Sequence, residues 1–196
     1  MDKELRIGCV LLAAGEGKRF GGNKLMADFH GKPILEHVLA ALPKDVFCCS
    51  VIVGANEKRI ELANKYGIDG VINDKPEEGV ARSIRMGIEK ISDDVDGCMF
   101  LVCDQPMLKS DTLSGMVRNY TKNTILALST RGKRGNPVIF PQYLLKELSS
   151  LQVQQTGVDV INEHVRILKL YDIDEGIELM DIDTKGDLQT LNKDIL

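Results

Sequence analysis

No part of this 196-residue sequence approaches the run of about 18 uncharged apolar residues that a membrane-spanning helix requires. The opening M-D-K-E-L-R leads straight into an apolar strand and not into a targeting region, so a soluble cytoplasmic protein is expected. Positive charge is not in excess: 25 Lys and Arg against 29 Asp and Glu give a formal net charge of -4, which argues against a broad nucleic-acid-binding face. The five cysteines, Cys9, Cys48, Cys49, Cys98 and Cys103, lack zinc spacing, and four lie in or beside apolar runs where a free thiol packs as a small hydrophobe. The histidines, His30, His37 and His164, are too widely separated to form a ligand pair by spacing, so a histidine base is not expected. Internal repeats, low-complexity tracts and long linkers are also missing. Residues 1–196 therefore read as one domain, and 43% apolar residues are enough for its core.

What the chain does have is alternation of strand and helix. Ile7 to Ala14 reads as a buried strand and Pro33 to Leu42 as a helix with Ile34, Val38 and Leu42 on one face. Val46 to Val53 is the next strand, Glu57 to Tyr66 a helix ended by Gly67, and Gly70 to Ile72 a short strand. Val80 to Ile91 is helical, and Gly97 to Val102 is so uniformly apolar that it suits a central parallel strand covered on both faces. Asp111 to Tyr120 reads as a helix with Ser110 as its N-cap, and Ile125 to Ser129 as a strand. The basic link R-G-K-R-G-N-P then interrupts the pattern before Val138 to Phe140. Tyr143 to Leu148 and Gly157 to Asn162 are short helices, Arg166 to Tyr171 a strand, and D-I-D-T-K-G-D-L a closing acidic stretch. The expected fold is α/β: three layers, an open, mostly parallel, Rossmann-like sheet, with ligands outside the carboxyl ends of its strands.

The segment from Leu11 to Leu25 joins an apolar strand to a glycine-rich turn with three cations. Gly15, Gly17, Gly21 and Gly22 permit close approach and expose N–H donors, while Lys18, Arg19 and Lys24 can neutralise a triphosphate. The loop is not a Walker pattern, because Leu25 stands where a magnesium-binding Ser or Thr would follow the lysine. It is not the dinucleotide fingerprint either, since three residues separate Gly17 from Gly21. A carboxylate must then come from elsewhere. Asp104, after the buried strand, either binds that metal or caps its turn. Asp181 and Asp183 would share one side of an extended backbone, where Asp183 either reaches a metal or is a solvated neighbour of a helix cap, the role suited to Asp187. Gly79 to Ser83 either closes over a base or ribose or only starts a helix. Arg131, Lys133, Arg134 and Asn136 form either a second anion site or a solvated loop.

These pieces resemble the nucleotidyltransferase family that includes molybdenum cofactor cytidylyltransferase and its guanylyltransferase relatives. The resemblance rests on L-A-A-G-E-G-K-R-F-G-G-N-K-L at 12–25, E-G-V-A-R-S-I at 78–84, C-D-Q-P at 103–106, G-N-P-V-I-F at 135–140 and D-I-D-T-K-G-D-L at 181–188. It implies a nucleotidyltransferase fold in which Gly15, Gly17, Arg19 and Lys24 bind the triphosphate beside Lys18, with Arg19, Lys24 and Asp104 catalytic. It further implies Gly79 and Ser83 facing the nucleotide, Mg²⁺ on Asp104 and Asp183, and Asn136 toward the acceptor. Ala13 and Ala14 before Gly15 look like the cytidylyl branch, so CTP is favoured over GTP. Three departures stand out: Asn136 replaces a common His, Lys185-Gly186 replaces a proline-acidic pair, and the family's acceptor-side G-D-x-G-A-R stretch is absent near Leu151 to Val160.

The expected reaction is attack by an acceptor phosphate oxygen on the α-phosphorus of CTP, with pyrophosphate leaving. A phosphomonoester is already nucleophilic near neutral pH, so no dedicated protein base is demanded. By the same resemblance the acceptor is a molybdopterin-type cofactor and the partner a client molybdenum hydroxylase, with neither nucleic acid nor membrane involved. The alternatives are transfer from GTP or to another phosphorylated acceptor, and a non-catalytic accessory protein that binds the cofactor.

Overall fold

A computed structural model describes residues 4–91 and 93–194. Its strands are β1 (Ile7–Ala13), β2 (Asp28–Phe29), β3 (Lys32–Pro33), β4 (Cys49–Gly54), β5 (Asp69–Ile72), β6 (Gly97–Val102), β7 (Ile125–Thr130), β8 (Lys133–Pro141) and β9 (Leu168–Ile173). Its helices are α1 (Ile34–Ala41), α2 (Glu57–Asn64), α3 (Gly79–Ile88), α4 (Ser110–Asn119), α5 (Leu145–Ser149), α6 (Gly157–Glu163) and α7 (Lys185–Asp194). Seven strands form one sheet in the order β5-β4-β1-β6-β8-β7-β9, and β2 and β3 form a separate small pair. The sheet is mostly parallel; β8 alone runs antiparallel, to β6 on one side and β7 on the other.

Period-two alternation explains the three layers. In β1, Ile7, Cys9, Leu11 and Ala13 pack on one face with Ile34, Leu35, Val38 and Leu39 of α1 and with buried residues of α2, α4 and α7. Val10 points the other way, into the cluster formed by α3, α5 and α6. A strand covered on both faces has to be apolar throughout, which is why β1 and β6 read as unbroken apolar runs. Cys9, Cys98 and Cys103 are buried as small hydrophobes, and desolvation pushes their thiols well above the usual range. Among the described residues no helix is long and apolar enough to cross a membrane.

Two local expectations need correction. Ser110 does not cap α4 but begins it; the cap position is Lys109, whose backbone N–H donates to Glu178 Oε2 at 3.0 Å. The basic stretch from residue 131 is not a link, because Lys133 onward is already β8, returning from β7 through a turn in which Arg131 and Gly132 have positive φ. Charged residues obscured a strand whose first half lies at the open end of the sheet and whose second half, from Val138, is core.

The chain enters β1 and then adds β4 and β5 on one side and β6 on the other. A crevice therefore opens beyond the carboxyl ends of β1 and β6, where the strand order reverses. The glycine loop and Asp104 both emerge into it.

Candidate active site

The loop after β1 is built from two 3₁₀ turns, Lys18–Phe20 and Lys24–Met26. Gly17 has φ +66°, and a side chain there would also lie 2.8 Å from Lys24 Cβ, so both backbone conformation and space require glycine. The loop is tied by Phe20 N–H and Gly22 N–H, both donating to the Gly17 carbonyl at 3.0 Å. Among the described residues the amides of residues 15–18 donate no hydrogen bond within the chain. This leaves a run of donors available to an anion.

Lys24 folds back beneath the loop. Its Nζ is 2.7 Å from Asp104 Oδ2 and 3.2 Å from Asp183 Oδ1, with only 11% of the side chain exposed. Burial alone pushes the ammonium down, but hydrogen bonds and attraction from the two carboxylates outweigh it and hold the pKa above the usual value. Arg19 Nη2 reaches Asp183 Oδ2 at 2.9 Å from the solvent side, and Lys18 pairs with Glu16 at 2.9 Å. Asp104 and Asp183, 79 residues apart in sequence, thus face one point.

Backbone geometry enforces that meeting. Ile182 N–H donates to the Asp104 carbonyl at 2.9 Å, and its side chain is fully buried, which sends Asp181 and Asp183 outward together. Asp181 accepts from Gln105 Nε2 at 2.9 Å; desolvation, then the negative field of Asp104, pushes its carboxyl up. Asp187 takes the capping role. Its Oδ2 accepts from the Asp183 and Thr184 amides and from Thr184 Oγ1, while Asp187 N–H donates to Thr184 Oγ1. This reciprocal pattern starts α7, in keeping with the helix-cap reading of Asp187, and fixes the backbone of Asp183.

The carboxylate pair fits a divalent cation. Both groups are hard oxygen donors, the Lys24 ammonium already stands between them as a cation, and buried Asp104 Oδ1 has no hydrogen-bond partner among the described residues.

Beside this charged centre is a cavity of about 320 Å³ lined by Ala14, Gly15, Gly79, Ser83, Val102 and Asp104, among others. Gly79 is the first residue of α3 and also lines the cavity. Its φ is +79°, and a Cβ would meet the Val153 carbonyl at 2.7 Å. Ser83 is buried against Asn73, which the sequence pattern gave no reason to single out. Asn73 Oδ1 accepts from Lys75 N–H at 3.0 Å and from Arg82 Nε–H at 2.9 Å, two obligate donors. The Asn73 amide nitrogen must therefore face Ser83 Oγ, at 3.0 Å. Ser83 accepts that bond and keeps its own proton to donate.

A second cavity, about 290 Å³, shares Leu12, Val80 and Val102 with the first. It is walled by residues such as Phe100, Val138, Phe140 and Ile161 and carries Arg134, Asn136 and Thr156 as polar members. Of the four polar residues near the hairpin, Arg134 and Asn136 line this cavity, whereas Arg131 and Lys133 are exposed at the turn. His37 and His164 make structural bonds, to the Phe29 carbonyl and Glu147.

Residues 9–167 match the family described as the MobA-like NTP transferase domain. A protein from Bacillus licheniformis named probable molybdenum cofactor guanylyltransferase is 26% identical over 188 residues, covering 93% of this chain and 94% of that protein. The 2-C-methyl-D-erythritol 4-phosphate cytidylyltransferase of Halalkalibacterium halodurans is 48% identical over 65 residues, 30% of this chain and 28% of that one. The chain spans only 28% to 35% of the length of this protein and of several other curated relatives it matches. Among solved structures, Rv0371c from Mycobacterium tuberculosis superposes with a TM-score of 0.80 at 20% identity, over 97% of this chain and all of that one. At that identity the likeness concerns the fold.

Proposed function

The chain belongs to the MobA-like NTP transferase family, and we propose that it transfers a cytidylyl group from CTP to a phosphorylated, molybdopterin-type acceptor, releasing pyrophosphate. The observation that carries the reading is convergence of Lys24, Asp104 and Asp183 within 3.2 Å at the mouth of the glycine loop. In this reading the whole of residues 1–196 acts as one domain. The loop amides, Arg19, Lys18 and Lys24 receive the triphosphate, with Arg19 and Lys24 moving from the carboxylates to phosphate oxygens. Asp104 and Asp183 would hold a divalent cation, Mg²⁺ in our reading, which when bound neutralises charge on the phosphate oxygens.

The case for cytosine comes from Ser83. Its hydroxyl is left as a donor by Asn73 and can meet the adjacent N3 or O2 acceptor of cytosine, whereas guanine offers O6 and N7 as acceptors but donors at N1 and N2. Ala14 lines the cavity beside Ser83, whereas Ala13, expected at the nucleotide, is fully buried on the opposite face of the sheet. GTP is the second reading, favoured by the name of the B. licheniformis relative. The neighbouring cavity, apolar with Arg134 and Asn136 at its edge, suits an acceptor with a flat ring body and an anionic group, and supports the molybdopterin class over a polyol phosphate. A client molybdenum hydroxylase as recipient of the product belongs to the same proposal.

The test is incubation with Mg²⁺, each of the four nucleoside triphosphates and a molybdopterin-type acceptor, with products identified by mass. Pyrophosphate and a cytidylylated acceptor are expected. Asp104→Ala should lower the rate at least about a hundredfold, the loss of one charged transition-state contact. Full activity in that variant, with unchanged magnesium dependence, overturns the assignment. Ser83→Ala should raise KM for CTP about tenfold and KM for GTP by less.

A further inference from the structure

Arg59 is buried beneath the glycine loop, with 2% of its surface exposed, on a helix whose neighbouring charges Glu57, Lys58 and Glu61 all face solvent. Its Nη1 donates to the Ala13 carbonyl at 2.5 Å and to the Gly15 carbonyl at 3.0 Å. Its Nε has no partner, and among the described residues no carboxylate pairs with the guanidinium. The ionisable neighbour that bears on it is Cys103, whose thiol burial keeps protonated. Burial correspondingly pushes the guanidinium pKa down. An interior cation with no counter-charge costs stability, so its presence calls for a reason outside packing.

The loop supplies the reason. In a trans peptide the C=O and the following N–H point in opposite directions. Holding the Ala13 and Gly15 carbonyls on the α2 side therefore turns the amides of Ala14 and Glu16 to the other side. On that side lie the cavity containing Ala14, Ser83 and Asp104 and the groove lined by Gly17, Lys18, Arg19, Lys24 and Asp183.

We infer that Arg59 is a positioning residue for the triphosphate: it locks the loop so that its amides converge on the phosphates, and its unpaired charge lies behind them as a counter-ion. This rests on the nucleotidyl-transfer reading above. It acts through the loop backbone and touches no reacting atom.

The experiment compares full-length wild type, Arg59→Met and Arg59→Lys. Calorimetry measures affinity for CTP and GTP with Mg²⁺ and for CMP and GMP, and a thermal melt accompanies each protein. Arg59→Met removes an unpaired buried charge but also the donor of two carbonyl hydrogen bonds, effects of opposite sign on stability, and its melt checks that the variant is folded. Its affinity for the triphosphate should fall at least about tenfold, with the monophosphate affected less than about threefold. Arg59→Lys keeps the charge on a shorter side chain that does not bring a donor to the place Nη1 occupies between the two carbonyls, and should fall between the two. Triphosphate affinity unchanged, or triphosphate and monophosphate weakened equally, overturns the inference while leaving nucleotidyl transfer intact. If Arg59→Met does not fold, Arg59→Lys decides by the same comparison. Wild type binding no triphosphate overturns the nucleotide reading and the role of Arg59 with it.

Discussion

Lys24 holds the most consequential position of any single residue. Its ammonium stands where two carboxylates converge, so the ligand-free site is electrically closed, and a divalent cation entering alone must displace a buried amine. Lys24→Ala should lower kcat/KM at least about a hundredfold by removing a phosphate contact. It should also destabilise the ligand-free protein by about 1.5–3 kcal/mol, the usual worth of hydrogen bonds between charged groups. Mg²⁺ should then raise the melting temperature of the variant more than that of wild type, because Asp104 and Asp183 are left without their cation. Equal Mg²⁺ effects on both proteins would contradict this. Lys24 and Asp104 were legible as residue types in the sequence. Asn73 and Arg59 were not, because their neighbours Asp74, Lys75, Glu57 and Lys58 make both stretches read as ordinary solvent-facing polar segments.

At the scale of the element, the start of α7 matters more than its length. Thr184 and Asp187 cap the helix reciprocally and in doing so hold the Asp183 backbone. Thr184→Ala should cost about 0.5–2 kcal/mol in a urea unfolding experiment. Hydrogen bonds from the Thr184 hydroxyl, then its amide, depress the Asp187 pKa below the ordinary carboxylate value. The stabilisation from Asp187 is thus complete above the unfolded-state value of about 3.9 and disappears as pH falls through the lower folded value. Melting curves of wild type and Asp187→Asn should differ at pH 7 and converge in strong acid. A difference that persists or widens at low pH contradicts the assignment. The 3₁₀ turns of the glycine loop are the other decisive elements, and there glycine at 17 announces itself in the sequence while the return of Lys24 beneath it does not.

For the whole molecule, the site depends on how closely α3 lies on the sheet. Gly87 permits that approach: a Cβ there would sit 2.4 Å from Val10 Cγ1 in the centre of β1. Gly87→Ala should therefore destabilise the fold by about 1–3 kcal/mol through overpacking. Because α3 also carries Gly79 and Ser83, KM for the nucleotide should rise in the same variant while kcat changes less. Unfolding curves and steady-state kinetics read the two effects separately. An unchanged KM in a destabilised protein would detach the cavity from the packing of α3.

The alternation of apolar runs with amphipathic helices, and the glycines and cations between β1 and α1, determined the three layers, the mostly parallel sheet and the loop from sequence alone. These are local consequences of side-chain period and backbone freedom, and no distant residue is needed to read them. The tertiary structure decided which distant groups meet: Asp183 with Asp104, Asn73 with Ser83, Arg59 with the carbonyls under the loop. Each meeting is set by strand order and by a few long-range backbone hydrogen bonds, such as Ile182 to Asp104, and sequence separation carries no measure of either.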